Sequence, residues 1–454
     1  MGPGTFDRPT SVRRLRDMDE AGQAVDLLVV GGGITGAGVA LDAASRGLHT
    51  VLVERSDLAS GTSSRSSKLV HGGLRYLQQG DIRLVYEALA ERQRLRHNAP
   101  HLVHVLPFLL PVFTRDGLFD RRIAWALGKA MWMYDLTGGA RIGKLHKKLS
   151  VDEALEQMPT LPRERLAGAY LYYDATTDDA RLTLSVARTA ALDHAAIVAT
   201  RAEVVGWHHE QGVLRGARVR LSGTHGAADQ EVTVRARQVV SATGVWSDEV
   251  RGLGPGDAPD TIRPAKGVHI TVPWDLVRNE VAAVVPVPGD RRSVFVVPWG
   301  DHTYIGTTDT DYDGSLGSPR CTDEDVDYLL RAINAAVDGE ITRADVTATW
   351  AGLRPLVRST GSGRTADLSR RHKVSVAADG LVSVNGGKLT TYREMAEDTV
   401  DEVVRRLDDD TAARVRSRSV TKKLRLRGAE DLDEVRDRAA DVGGVLGHLV
   451  GRYG

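Results

Sequence analysis

Asp26-Leu-Leu-Val-Val-Gly31-Gly32-Gly33-Ile-Thr-Gly36-Ala-Gly-Val-Ala-Leu-Asp-Ala-Ala44 is the stretch that decides the fold. Its first part is a Val/Leu run of the kind that forms a buried strand, and its last part is a run of small residues suited to a closely packed helix. Gly31, Gly33 and Gly36 between them have the Gly-x-Gly-x-x-Gly spacing. The first glycine permits a tight turn, the second lets backbone approach a pyrophosphate, and the third lets the helix lie close on the strand. The start of that helix offers unpaired N–H groups and a positive dipole end to phosphate.

Working outward, a second apolar run, His49-Thr-Val-Leu-Val-Glu54, follows the helix and ends in a carboxylate 18 residues after Gly36. That is close to the spacing at which an acid holds a ribose hydroxyl. An ordinary βαβ turn with a chance acid is the competing interpretation, and the conjunction of all four parts argues against it. The chain therefore opens with a dinucleotide-binding unit.

Composition sets the bounds. With 454 residues the chain has room for more than one domain. Sixty basic and sixty acidic residues cancel, which argues against a nucleic-acid binder driven by bulk charge. The single cysteine, Cys321, excludes both a disulfide framework and a thiolate metal cluster. No metal site is expected. No secretory signal, bilayer-spanning apolar run or internal repeat is evident.

Residues 55–77 are dense in hydroxyls and glycine. Thr62, Ser63, Ser67 and His71-Gly72-Gly73 could wrap a pyrophosphate and a flat ring, where the competing interpretation is a solvated loop. Later, Arg237 to Ser241 forms an apolar strand that runs into Ala242-Thr243-Gly244. Such a strand returns the chain beside the first unit, so the dinucleotide domain is discontinuous. The segments between its pieces alternate like strands and build a second, antiparallel sheet. Asn385-Gly386-Gly387-Lys388-Leu389-Thr390 opens a further helix and offers N–H groups and a cation to an electron-rich ring edge. It is not a phosphate-binding Walker loop, because the leading glycine spacing is missing.

These words are shared with a known family. VVGGGITGAG (29–38), TSSRSSKLVHGGLRYL (62–77), KGVHI (266–270), VPWGDHTYIGTTDTDY (297–312), GLRPL (352–356) and NGGKLTTYRE (385–394) span most of the chain. Jointly they resemble the FAD-dependent glycerol-3-phosphate dehydrogenases of the respiratory, quinone-linked kind. The resemblance implies an α/β fold: a discontinuous Rossmann-like FAD-binding domain of the DAO/glutathione-reductase type, an inserted antiparallel-sheet substrate domain and a short helical C-terminal segment.

The expected division is an N-terminal arm at 1–23 and an FAD-binding domain at 24–100, 178–260 and 350–408. A substrate domain takes 101–177 and 261–349, and a C-terminal helical part takes 409–454. The resemblance implies a larger helical C-terminal domain, and the chain is expected to end partway into it.

The resemblance also implies site residues. Non-covalent FAD would meet Gly31, Gly33 and Gly36 at its pyrophosphate and Glu54 at its ribose. Thr62, Ser63, Ser67, His71, Gly72 and Gly73 would surround pyrophosphate and isoalloxazine. Val204, Ala242, Thr243 and Gly244 would lie near the adenosine, and Gly387, Lys388, Leu389 and Thr390 along the pyrimidine edge. Arg75, Tyr76, His269, Arg354 and Lys388 would face the substrate pocket, because a phosphate dianion asks for cations with paired donors. Arg354 is expected beside the reacting oxygen, with a structural ion pair as the alternative. His269 is the candidate base, since imidazole titrates near neutrality. A strand histidine in a satisfied polar pocket is equally open, with the proton leaving through water.

Residues 121–136, with two Trp, two Met and flanking cations, fit either an interfacial membrane helix or a buried helix with snorkelling ends. The resemblance favours the membrane, because the family passes electrons to a quinone in the bilayer. The expected partners are thus glycerol 3-phosphate, a membrane quinone and the inner face of the cytoplasmic membrane, with a homodimer left open.

Overall fold

The structure is a computed structural model, and it describes all residues except 1–3, 74–81, 115–130, 133, 136–141, 224–227, 255–260, 291, 359–370, 431, 433, 436–443 and 454. Its framework is a pair of sheets. The first runs in the order Lys373–Val376, Val382–Asn385, Gln230–Ser241, Ala24–Val30, Thr50–Glu54, Ile197–Thr200. From Val382–Asn385 to Ile197–Thr200 every pairing is parallel. Six of the seven residues of Ala24–Val30 are buried, as a central parallel strand covered on both faces requires. The hairpin Ala202–Glu210 and Val213–Leu221 adds antiparallel strands beside Gln230–Ser241.

Helix Ile34–Arg46 packs against the sheet and against helices Asp179–His194 and Tyr392–Val404. Its small residues set that spacing: a Cβ on Gly38 would stand 2.8 Å from the Tyr392 ring.

The second sheet has ten strands, mostly antiparallel, centred on Ile262–Pro273, His302–Gly306, Ser293–Trp299, Val103–Phe113 and Leu166–Thr177. Helix Asp323–Asn334 lays Leu329, Leu330 and Ile333 on one face. Strand Ala348–Val357, which the sequence division begins to count with the FAD-binding domain at 350, pairs along its whole length with Ile262–Pro273 in this second sheet. Its apolar alternation suits either sheet, and only the long-range partner decides.

The N-terminal arm is helical over much of its length. It holds a 13-residue helix, Arg8–Glu20, capped by Asp7, which accepts from Thr10 N–H at 2.8 Å. Val12 and Leu15 are buried against the first sheet, a contribution of roughly 1.5–3 kcal/mol for each fully buried side chain. Beyond the last sheet strand, Ser419 and Thr421 hydroxyls donate to the buried Asp42 carboxylate, and Leu426 N–H donates to Asn98 C=O at 2.7 Å. These bonds tie the C-terminal segment back to the first domain.

Candidate active site

Parallel pairing brings together turns that lie far apart in sequence. Val30 is in register with Ser241, and Ser241 with Ser383. The carboxyl ends of these neighbouring strands therefore open side by side into Gly31, into Ala242-Thr243-Gly244 and into Gly386-Gly387-Lys388. Ligands of open parallel sheets bind at that edge. All three turns line one cleft, with about 1290 Å³ of space between its walls counting the open side. Gly33, Glu54, Thr62, Ser63, Val204 and Leu389 line it too.

The glycine turn has the geometry its spacing predicts. Gly31 has φ +108°, and a Cβ there would lie 2.7 Å from Ala242 C=O. A Cβ on Gly36 would lie 1.8 Å from Gly31 C=O, so the helix touches the strand through bare backbone. Gly33 caps helix Ile34–Arg46 without a side chain to occupy its first N–H groups; Ser63 Oγ accepts from Ile34 N–H at 2.9 Å. Glu54 accepts from Gly32 N–H at 2.7 Å and from Ser56 N–H at 2.8 Å, which anchors the acid across the turn while it lines the cleft. A bare-backbone turn, a helix start and an anchored carboxylate fit the pyrophosphate and ribose of a dinucleotide.

Two wall residues lack any motif to announce them. Arg55 sits over the Trp246 ring, 4.4 Å from its centroid, and both line the cleft beside Val204. The edge of the Trp246 ring lies so close to Gly61 that a Cβ there would meet it at 2.9 Å. The tryptophan's place just after Ala-Thr-Gly was the one clue available in the sequence.

A second constellation adjoins the cleft without lining it. Thr62 donates to Leu353 C=O at 2.6 Å, next to Arg354, and Pro355 is on the cleft wall. Tyr304 Oη donates to Ser67 C=O at 2.8 Å, and Ser67 Oγ is 2.9 Å from His269 Nε2. His71 N–H donates to Thr390 Oγ1 at 3.2 Å. The segment 62–71 is thus pinned between the second sheet and the Lys388 turn. Lys68, buried enough to pair with the fully buried Asp179 at 2.6 Å, is a further cation beside His269. Arg75 and Tyr76 lie outside the described residues.

His269 is buried and stacked on Trp350, ring centroids 4.6 Å apart. Its Nδ1 has no hydrogen-bond partner among the described residues. Burial, and then the nearby charges of Arg354 and Lys68, lower its pKa to about 3, so the imidazole is neutral at working pH. Arg354 is fixed by Asp309 at 3.1 Å, Thr307 Oγ1 at 3.1 Å and Thr308 C=O at 3.3 Å. Lys388 lines the cleft directly.

Fold and cleft together define a dinucleotide-binding protein in which a Rossmann-like domain adjoins a second, mostly antiparallel sheet. The FAD dependent oxidoreductase family matches residues 26–393. A glycerol-3-phosphate dehydrogenase of Mycobacterium tuberculosis is 43% identical over 437 residues, covering 94% of this chain and 72% of its own length. The human mitochondrial glycerol-3-phosphate dehydrogenase is 42% identical over 392 residues, covering 84% of this chain and 53% of its own. The crystal structure of the Bacillus halodurans glycerol-3-phosphate dehydrogenase complexed with FAD superposes with a TM-score of 0.75 at 33% identity, covering 97% of this chain and 76% of that one. The chain belongs to the FAD-dependent oxidoreductases, in their glycerol-3-phosphate dehydrogenase branch, and FAD is its cofactor.

Proposed function

We propose that this chain oxidises sn-glycerol 3-phosphate to dihydroxyacetone phosphate and delivers the electrons to a quinone in the membrane. The observation that carries the reading is the shared cleft: the Gly31 turn and the Gly386-Gly387-Lys388 turn line the same space, beside a constellation of Arg354, His269 and Lys68. FAD, when bound, accepts the hydride that leaves C2.

The chain's own residues do the rest. Gly31, Gly33 and the helix start hold the pyrophosphate, with Gly36 making their approach possible; Glu54 holds the ribose. Val204, Ala242, Thr243 and Gly244 seat the adenosine. Ser63, Thr62, Ser67, His71, Gly72 and Gly73 frame the pyrophosphate and the ring, and Gly387, Lys388, Leu389 and Thr390 follow its pyrimidine edge. Arg354, held rigid by Asp309 and Thr307, favours the developing alkoxide without reorganising. Arg75, Tyr76 and Lys388 grip the phosphate. His269 is the candidate acceptor for the hydroxyl proton, but burial and its cationic neighbours make it a weak base, which favours the alternative in which the proton leaves through water.

Most of residues 121–136 lie outside the described residues; membrane contact is supported by Trp132 (55% exposed), whose ring meets His146 edge-on at 5.2 Å, and by exposed Leu145, Lys144, Lys147 and Lys148 in the segment around that histidine. Apolar rings flanked by cations suit an anionic headgroup layer. Among the described residues no helix is long and apolar enough to cross a membrane. We place the attachment on the inner face of the cytoplasmic membrane, the side that the family resemblance implies.

A stopped-flow experiment under nitrogen tests the proposal. Glycerol 3-phosphate should bleach the flavin absorbance, and a quinone analogue should restore it faster than air does. Rapid peroxide formation instead would make the chain an oxidase, and a flavin that never bleaches would make it a non-catalytic binder.

A further inference from the structure

Asp174 is a carboxylate that the chemistry above does not use. It lies on strand Leu166–Thr177 and is 2% exposed. Arg92, itself fully buried on helix Ile82–Asn98, donates to Asp174 Oδ1 from Nη1 at 2.5 Å and to Tyr173 C=O at 3.0 Å. Tyr134, 1% exposed, reaches both carboxylate oxygens from its hydroxyl, at 2.8 and 2.7 Å. The remaining donor is backbone: Gly72 N–H, 3.3 Å from Oδ1.

That fourth contact is the informative one. Charge balance with Arg92 would explain a buried carboxylate by itself. It does not explain why the carboxylate also holds the backbone of the His71-Gly72-Gly73 turn. The turn leaves no slack. A Cβ on Gly72 would lie 2.5 Å from Leu89 Cδ2 and 2.7 Å from Tyr134 Oη, so the backbone rests directly on the network. From the opposite side, Thr390 Oγ1 accepts from His71 N–H, one residue beyond the cleft-lining Leu389. The His71 ring meets Phe295 edge-on at 5.8 Å. The turn is thus clamped between Asp174 and the segment that follows the Gly-Gly-Lys turn.

Tyr134 remains a donor throughout, because burial, followed by the Asp174 charge, pushes its pKa well above the ordinary phenol value. A fixed donor on each side lets the carboxylate act as a rigid spacer, since charge-assisted bonds inside a buried network have little freedom to lengthen.

We propose that Asp174 is a positioning residue for the reaction. Held by Arg92 and Tyr134, it sets the depth of the Gly72 backbone against the ring end of the cofactor cleft, and with it the approach of substrate to that ring. The inference rests on the proposed dehydrogenase reading, and wild-type behaviour separates the two. If glycerol 3-phosphate fails to bleach wild-type flavin, the functional reading falls and the role of Asp174 in it falls for that reason alone.

With wild type active, the test uses Tyr134→Phe, Asp174→Asn and Asp174→Glu in the full-length holoenzyme. Bound FAD, the visible flavin spectrum and anaerobic flavin reduction by glycerol 3-phosphate are each read. Tyr134→Phe should keep its FAD and reduce the flavin about 3- to 10-fold more slowly at saturating substrate, with a displaced flavin band. Asp174→Asn should be slower by about 100-fold, and Asp174→Glu should recover part of that. If Asp174→Asn does not fold, Tyr134→Phe decides. Reduction that falls only in proportion to lost FAD, or an unshifted spectrum with a wild-type rate in Tyr134→Phe, would overturn the proposal.

Discussion

The two halves of this site are built by opposite means. On the cofactor side, backbone does most of the work: Gly31 and Gly36 bring chain segments into bare contact, and Gly33 caps a helix start with no side chain of its own. On the substrate side, side chains are locked by other side chains: Arg354 by Asp309 and Thr307, His269 by Trp350 and Ser67, Lys68 by Asp179. A backbone cradle recognises any pyrophosphate and depends on shape. In the proposed reading, a network of cations around a neutral imidazole recognises one charge pattern and depends on electrostatics. Mutations should therefore fail differently on the two sides, and that difference can be tested.

The largest effect is expected from Gly36→Ala. The new methyl would stand 1.8 Å from Gly31 C=O, which is backbone and cannot swing aside. Purified protein should have lost nearly all flavin absorbance. Retention of full FAD content would mean that the close approach is not what builds the cradle.

Arg354→Ala should show the converse: flavin retained, and its anaerobic reduction by glycerol 3-phosphate slowed by about 10²–10³-fold, the scale for removing a preorganised charge partner. Loss of FAD in this variant would erase the distinction between the two halves.

His269 offers a test through pH. Its folded pKa of about 3 lies below the unfolded value near 6.5, so the unfolded chain binds more protons between those limits. The neutral imidazole's contribution to stability is therefore complete above about pH 6.5 and is lost as pH falls toward 3, at up to ~1.4 kcal/mol per pH unit. Denaturant melts at pH 7 and pH 5 should show His269→Gln losing less stability than wild type over that interval. Equal losses would place the imidazole in a wetter setting than its burial indicates.

The smallest effect is expected at a side-chain contact on the cofactor side. Arg55→Ala removes a cation lying over Trp246 at a partly exposed wall. FAD titration of apoprotein, followed by Trp fluorescence, should show affinity weaker by about 2- to 5-fold, corresponding to ~0.5–1 kcal/mol. A loss of 100-fold would show that side chains carry more of the cofactor side than the glycines suggest.

Legibility in the sequence follows the same division. The strand before Gly31, the glycine spacing, Glu54 and the Lys388 turn can be read because each is a local requirement, expressed within a few residues. The N-terminal helix was only half legible, since its packing residues Val12 and Leu15 need a sheet elsewhere to make them core. Strand Ala348–Val357 reads equally well in either sheet until its partner is known. Arg55 stands in no pattern that marks a role, Lys68 and Trp246 lie in or just after recognisable motifs that do not single them out, and Asp174 looks like any strand residue.

By itself, then, the amino-acid order determined that a dinucleotide cradle forms and which residue types surround it, because turn geometry and periodicity are short-range. Only the tertiary structure decided that Gly31, Ala242 and Gly386 open into one cleft, that His269 is held neutral between Arg354 and Lys68, and that Asp174 meets Gly72. Those are pairings across tens to hundreds of residues. Strand register and burial create them, and no local spacing encodes them.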